Sequence, residues 1–173
     1  MAMTNYILNC YTSYKEFCKS IDELNKSRLK TDKKERRPNF PEAISESICK
    51  ILFDGKYLKG GDMKTKDGRR VEIKAFSSKG PTSFGPTEKW DIILFLDLTQ
   101  DPNIIIYKCE FSSESKEWNE IKISKTQTYE HQCRQGRRPR ISFESLKTQI
   151  HFEKIFEGNI VDVLNNKMKI IKI

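Results

Sequence analysis

The chain has little of what membrane, disulfide-bonded and zinc-binding proteins need. Its longest uninterrupted apolar run covers only residues 92–96, whereas a membrane-spanning helix takes roughly 20 apolar residues. The five cysteines form an odd set with no C-x-x-C pair, so neither a disulfide framework nor a zinc site is indicated. The N-terminus lacks a charged leader followed by an apolar stretch. We therefore expect a cytoplasmic protein with reduced thiols.

Groups that other hydrolases and nucleotide-using enzymes rely on are also missing. The sequence has two histidines and no convincing Ser/His/Asp or Cys/His grouping, which argues against hydrolysis through a covalent enzyme intermediate. It has no G-x-x-x-x-G-K-[ST] loop, and so we expect no nucleotide cofactor.

Positive charge is what the sequence has in excess. Its 32 Lys and Arg residues outnumber 24 Asp and Glu residues, which gives a formal net charge of +8. The bases concentrate in residues 26–37, with seven bases against two acids, and in residues 122–140, with six against one. This excess favours a polyanionic partner, with nucleic acid the first candidate and an anionic membrane surface the second. A solvated face is the plain alternative for the first segment.

Residue periodicity divides the 173 residues into helical and strand-rich regions. Apolar residues recur at helical spacing within the first 30 residues and again between Pro41 and Gly55. The pattern then favours a hairpin (62–65 and 70–76), a buried strand (90–98), strands at 103–111 and 120–124, a helix at 143–156 and a terminal apolar piece at 168–173. We predict an α/β (α+β) fold in one domain, a central mixed β-sheet flanked by helices, with a helical N-terminal region (1–40), a core (41–111) and a C-terminal region (112–173).

Glu72 and Lys74 are the first candidates for chemistry. Strand alternation places both side chains on one face, while Val71 and Ile73 enter the core. A carboxylate and an ammonium group thus stand side by side. The plain alternative is an exposed hairpin with an ordinary Glu-x-Lys pair on its wet face.

Asp62 joins that face only in one register of the hairpin. A two-residue turn at residues 67–68 places Asp62 on the wrong side. A three-residue turn at residues 66–68, with Gly68 left-handed, pairs Thr65 with Arg69 and sets Asp62 opposite Glu72. The chemistry therefore requires the longer turn, or a bulge near Asp62 with the same effect.

Two carboxylates on one face repel each other unless a cation lies between them, and hard oxygen ligands suit Mg²⁺. Lys74 would then contact the attacking water or the reacting phosphate. The metal would activate the water and stabilise the charge that grows on the phosphorus oxygens. This grouping predicts phosphodiester hydrolysis.

Asp62 followed by Glu72-Ile73-Lys74 resembles the PD-(D/E)XK nuclease superfamily, with Gly61-Asp62 in place of Pro-Asp. With the size of the chain, the helix start at residues 40–46 and the run at residues 135–140, the sequence is similar to the small type II restriction endonucleases. Among these it resembles the subgroup that cuts GC-N-GC palindromes. The resemblance implies a prokaryotic, Mg²⁺-dependent homodimer that cleaves double-stranded DNA at a short palindromic site and has no membrane partner.

The resemblance also implies roles for individual residues. By motif position, Asp62 and Glu72 are metal ligands and Lys74 is the base that orients the water. The first-helix acid of the family falls on Glu46 or Glu42, and Glu46 is preferred because it lies nearer the helix end that leads into the hairpin. Both glutamates project opposite the apolar stripe of that helix, so solvated helix-face carboxylates are the alternative.

The second basic segment is the candidate for reading DNA. Arginine can donate two hydrogen bonds to guanine, glutamine can pair similarly with adenine, and both can hold phosphates. We predict major-groove contacts there, with a solvated loop as the alternative; the candidates are Gln127, Arg134, Gln135, Arg137, Arg138 and Arg140. The loop of residues 79–88 follows the catalytic strand and could also reach DNA.

Two other functions stay open on the sequence. A structure-selective nuclease, such as a Holliday-junction resolvase, would use the same catalytic residues. A non-catalytic basic DNA-binding protein would show salt-sensitive binding that does not depend on Glu72.

Overall fold

A computed structural model describes residues 2–29, 32–59, 61–165, 167 and 169–173. The helices are α1 (Ala2–Ser27), α2 (Glu42–Phe53), α3 (Lys116–Asn119), α4 (Tyr129–Arg134), α5 (Phe143–Lys147) and α6 (Ile160–Leu164). The strands are β1 (Lys56–Leu58), β2 (Gly61–Lys64), β3 (Arg70–Phe76), β4 (Thr82–Ser83), β5 (Ile92–Asp97), β6 (Asn103–Cys109), β7 (Arg140–Ile141) and β8 (Glu153–Asn159).

Six strands form one mixed sheet in the order β1-β2-β3-β5-β6-β8. β3 and β5 are parallel, and the other neighbours are antiparallel. β5 lies inside the sheet with its first five residues buried, as its unbroken apolar run predicts for a strand covered on both faces. The predicted mixed sheet flanked by helices is confirmed.

Helices and loops cover the two faces of the sheet with separate apolar clusters. On the first face, Val71 and Ile73 of β3 pack with residues of α1, α2 and α6. On the second face, Phe95 packs with two fully buried tryptophans, Trp90 and Trp118, and with residues of α4 and α5. Alternation along β3 therefore directs Glu72 and Lys74 toward the second face.

The second basic segment is joined to the loop after β3. β4 pairs with β7 through Thr82 opposite Ile141 and Ser83 opposite Arg140. The Phe84 backbone N–H then donates to the Pro139 carbonyl at 3.0 Å. This small two-stranded sheet brings the basic segment next to the polar side of β3.

Two predicted elements are wrong in the C-terminal region. The described residues 120–124 form no strand, and an isolated bridge joins Lys122 to Thr128. The helix predicted at 143–156 ends at Lys147, because the chain then turns and pairs β8 with the open edge of β6. In the terminal apolar piece, Met168 lies outside the described residues, and Ile171 and Ile173 pack partly buried against the first cluster. Among the described residues, no helix combines the length and apolar character that a membrane crossing needs.

Candidate active site

The β2–β3 hairpin has the register that the chemistry requires. Lys64 pairs with Arg70, and the Thr65 N–H donates to the Arg69 carbonyl at 3.0 Å. Gly68 has a φ of +94°, a conformation that side chains with a Cβ rarely adopt. The three-residue turn predicted at residues 66–68 is confirmed, and the count along both strands places Asp62 across from Glu72.

Asp62 is held directly against β3. The backbone ladder between β2 and β3 ends at the pair of Met63 and Val71. One residue further, Asp62 Oδ2 accepts a hydrogen bond of 2.7 Å from the Ile73 backbone N–H. The Asp62 carboxylate therefore accepts the hydrogen bond that a backbone carbonyl would accept in a continued sheet. It lies beside the β3 backbone between Glu72 and Lys74.

Glu72 and Lys74 form an ion pair that is largely shielded from solvent. Only 9% of the Glu72 side chain and 15% of the Lys74 side chain is exposed. The Lys74 Nζ also lies 5.6 Å from the ring centroid of Phe84, which is fully buried. An aromatic face at this distance attracts a cation, so the ammonium group is held from two sides.

The two carboxylates of the site have raised pKa values. Burial raises the pKa of Glu72 from 4.5 to about 7, and the negative charge of Asp62 adds to this, against the attraction of Lys74. Burial also raises the pKa of Asp62, Glu46 adds to the increase, and the Ile73 hydrogen bond opposes it. Burial lowers the pKa of Lys74, but its carboxylate neighbours outweigh this and raise it.

This carboxylate pair fits a hard divalent cation. Two neighbouring carboxylates repel each other, and a divalent cation bound by their oxygens removes this repulsion. No group of three His, Cys, Asp or Glu side chains suited to a metal occurs among the residues that the structure describes. Mg²⁺ commonly binds through one or two carboxylates, with water and phosphate as its other ligands.

The two candidate acids of α2 differ in position. Glu46 is partly buried, lies close enough to Asp62 to raise its pKa, and forms an ion pair of 2.8 Å with Lys50. Glu42 is exposed at the start of the helix. The structure thus places Glu46, the acid that the sequence analysis favoured, closer to the carboxylate pair than Glu42. One Glu46 carboxylate oxygen already accepts a hydrogen bond from Lys50.

Glu88 is a site residue that the sequence did not reveal. Its Oε2 lies 3.3 Å from the Lys74 Nζ, and 28% of its side chain is exposed. The alternation of side chains along a strand predicts which β3 residues lie beside Lys74. It cannot predict the position of Glu88, because Glu88 lies in a loop. The stiff Gly-Pro pattern of the loop at residues 79–88 is the one sequence signal near it.

The candidate DNA-contacting residues lie on and around α4 and β7. Arg134, Gln135, Arg137, Arg138 and Arg140 are exposed, whereas Gln127 is half-buried. Several already have protein partners: Arg134 pairs with Glu130 at 2.6 Å, Gln135 contacts His131, and Arg137 donates to Gln127. Arg138 reaches toward the candidate active site, where its guanidinium lies 3.6 Å from Glu88.

The family model of the Bsp6I restriction endonuclease matches residues 2–150. The chain belongs to this family. The matched span contains the Asp62, Glu72 and Lys74 grouping, the loop that carries Glu88 and the whole basic segment of residues 122–140.

A curated relative has the same family name. The type II restriction enzyme Bsp6I of Bacillus sp. (strain RFL6) is 40% identical over 110 residues, which cover 60% of this chain and 62% of the relative. The match therefore spans somewhat less than two thirds of the relative's length. No solved structure matches the chain.

Proposed function

We propose that this member of the Bsp6I family is a Mg²⁺-dependent type II restriction endonuclease of the PD-(D/E)XK type. Its substrate would be double-stranded DNA with a short palindromic site, of the GC-N-GC kind that the sequence resemblance implies. One observation carries the proposal: Asp62, Glu72 and Lys74 lie together at β3, on a chain of a restriction endonuclease family.

In this proposal Asp62 and Glu72 hold the metal. Bound Mg²⁺ supplies a more acidic water and stabilises negative charge on the phosphate oxygens. Lys74 donates hydrogen bonds to the attacking water or to the phosphate, and its burial strengthens those bonds. Glu46 on α2 adds negative charge near Asp62, which raises the pKa of Asp62 and would favour a bound cation.

The basic segment of residues 122–140 binds the DNA in this proposal. The exposed guanidinium groups of Arg137, Arg138 and Arg140 suit phosphates and guanine edges, and Gln127, Arg134 and Gln135 complete the candidate surface. A palindromic site has two-fold symmetry, so we propose a homodimer that places one active site on each strand. In these terms residues 1–173 form one nuclease domain, with a helical N-terminal region (1–40), catalytic chemistry in the core (41–111) and DNA recognition in the C-terminal region (112–173).

The deciding experiment is digestion of plasmid DNA of known sequence by the purified protein, followed by mapping of the ends. We expect discrete fragments that share one palindrome at their termini, and no cutting when EDTA replaces Mg²⁺. Cutting confined to branched DNA would point to a structure-selective nuclease instead. Salt-sensitive binding without any cutting would leave a non-catalytic DNA-binding protein.

A further inference from the structure

Glu88 connects the basic segment to the catalytic lysine. Its two carboxylate oxygens contact different cations: Oε2 lies 3.3 Å from the Lys74 Nζ, and Oε1 lies 3.6 Å from a guanidinium nitrogen of Arg138. The same guanidinium donates to Ser83 Oγ at 3.3 Å. One side chain thus touches both the proposed chemistry and the proposed DNA surface.

The local fold holds Glu88 in this position. Its backbone N–H donates to the Gly85 carbonyl at 3.3 Å, which closes a tight turn. A Cβ on Gly85 would lie 2.5 Å from Glu88 Oε1, so a larger residue there would displace this carboxylate from its observed position. Phe84, which directly precedes the turn, is buried beside Lys74. Its backbone N–H donates a hydrogen bond to the carbonyl of Pro139 in the basic segment.

Four groups therefore alternate in charge along a chain of contacts: Glu72, Lys74, Glu88 and Arg138. In such a chain each inner ion is shared between two partners. Removing the cation at one end leaves Glu88 with Lys74 as its nearest positive charge. Glu88 then attracts Lys74 more strongly, and Glu72 loses some of the charge that neutralises it.

We propose that Glu88 is a positioning residue that couples the DNA contact of Arg138 to the release of Glu72 by Lys74. When Arg138 binds its DNA site it leaves Glu88, Glu88 draws Lys74 toward itself, and the Glu72 carboxylate is freed beside Asp62. The inference rests on the proposed endonuclease function. It explains how cutting would await contact with the recognised site.

The first test compares Glu88→Gln with the wild-type protein in two measurements. We expect the single-turnover cutting rate at saturating DNA to fall about tenfold or more, because a small misplacement of a catalytic group is costly. We expect DNA affinity measured in EDTA to stay equal or to increase, because Arg138 loses a competing carboxylate. A merely structural defect would weaken both. Glu114→Gln, which removes the exposed partner of Lys89, is the matched control and should change neither.

The second test uses Arg138→Ala, alone and combined with Glu88→Gln. Without Arg138, Glu88 can draw Lys74 on any DNA, so we expect weaker binding and a smaller ratio of cutting at the recognised site to cutting at sites with one changed base pair. The double variant should bind like Arg138→Ala and cut as slowly as Glu88→Gln. Circular dichroism would confirm that all variants fold.

The outcomes separate the two proposals. If the wild-type protein cuts no DNA with Mg²⁺, the proposed function fails. If it cuts and Lys74→Ala does not, but Glu88→Gln cuts at the wild-type rate, only the role of Glu88 fails. Unchanged discrimination in Arg138→Ala would likewise overturn the coupling.

Discussion

At the scale of single residues, Lys74 offers the sharpest test of the chemistry. Its ammonium group lies between Glu72 and Glu88 with little exposure, so it contributes less to the outer charge of the molecule than the surface lysines do. We expect Lys74→Ala to lower the cutting rate by about 100- to 10,000-fold while DNA affinity changes little. Gel-shift titration and single-turnover digestion measure the two quantities.

Lys89→Ala is the control for Lys74, because Lys89 is exposed and pairs with Glu114. It should cut at close to the wild-type rate. If Lys74→Ala loses affinity and cutting in parallel, Lys74 is a phosphate-binding residue and the water-orienting role is wrong.

Glu72 predicts a specific pH dependence of stability in the metal-free protein. Burial keeps its proton bound up to a pKa of about 7, against 4.5 for an ordinary glutamate. Between these pH values the native state binds more protons than the unfolded chain, so the contribution of Glu72 to stability falls as pH rises. Glu72→Gln removes this titration.

The measurement is urea unfolding in EDTA at several pH values. The free energy of unfolding of the wild-type protein should fall relative to that of Glu72→Gln between pH 4.5 and about 7. Surface carboxyls with lowered pKa, such as Asp91 beside Arg70, lose their contribution only at lower pH. Parallel curves for the two proteins would show that Glu72 is not a buried titrating group.

At the scale of elements, the turn of the β2–β3 hairpin decides whether the site exists. Gly68 has a φ of +94° and an added Cβ would meet only ordinary contacts, so the cost of Gly68→Ala is conformational. We expect a loss of about 1–2 kcal/mol in the free energy of unfolding. Gly80→Ala, at a loop glycine without positive φ, should change it little.

DNA-cutting activity is a second test of the register of the β2–β3 hairpin. One extra residue inserted in β2 between Asp62 and Thr65 would move Asp62 one position along the strand and turn its side chain to the other face. A folded insertion variant should therefore lose cutting altogether. Retained cutting would show that Asp62 reaches Glu72 by another route than the observed register.

Features set by local sequence could be predicted here, and features set by contacts distant in sequence could not. Glu72, Lys74 and the turn at Gly68 follow from local alternation and turn chemistry, and so they could be predicted. β8 could not, because residues 153–159 pair with β6 some 50 residues earlier, and strand formation depends on such partners more than on local preference. Glu88 was missed for a similar reason, since its contact with Lys74 depends on how the loop returns along β7.

At the scale of the whole molecule, the net charge of +8 favours binding to the proposed DNA substrate but does not account for the proposed cut in both strands. One chain holds one grouping of Asp62, Glu72 and Lys74, and cutting both strands at a symmetric site requires two. The proposed two-fold dimer would satisfy this requirement, because each copy would present the same site to one strand.

A mixing experiment tests this dimer directly. Equal amounts of wild-type and Lys74→Ala protein, allowed to exchange subunits, should form about half mixed dimers by random pairing of two subunits. A mixed dimer has one working site and should nick supercoiled plasmid, so open circles should accumulate beyond their level with either protein alone. If each chain instead acts alone, the mixture should give the wild-type product pattern at a reduced rate, and light scattering should then report a monomer. That result would remove the dimer while leaving the active site in place.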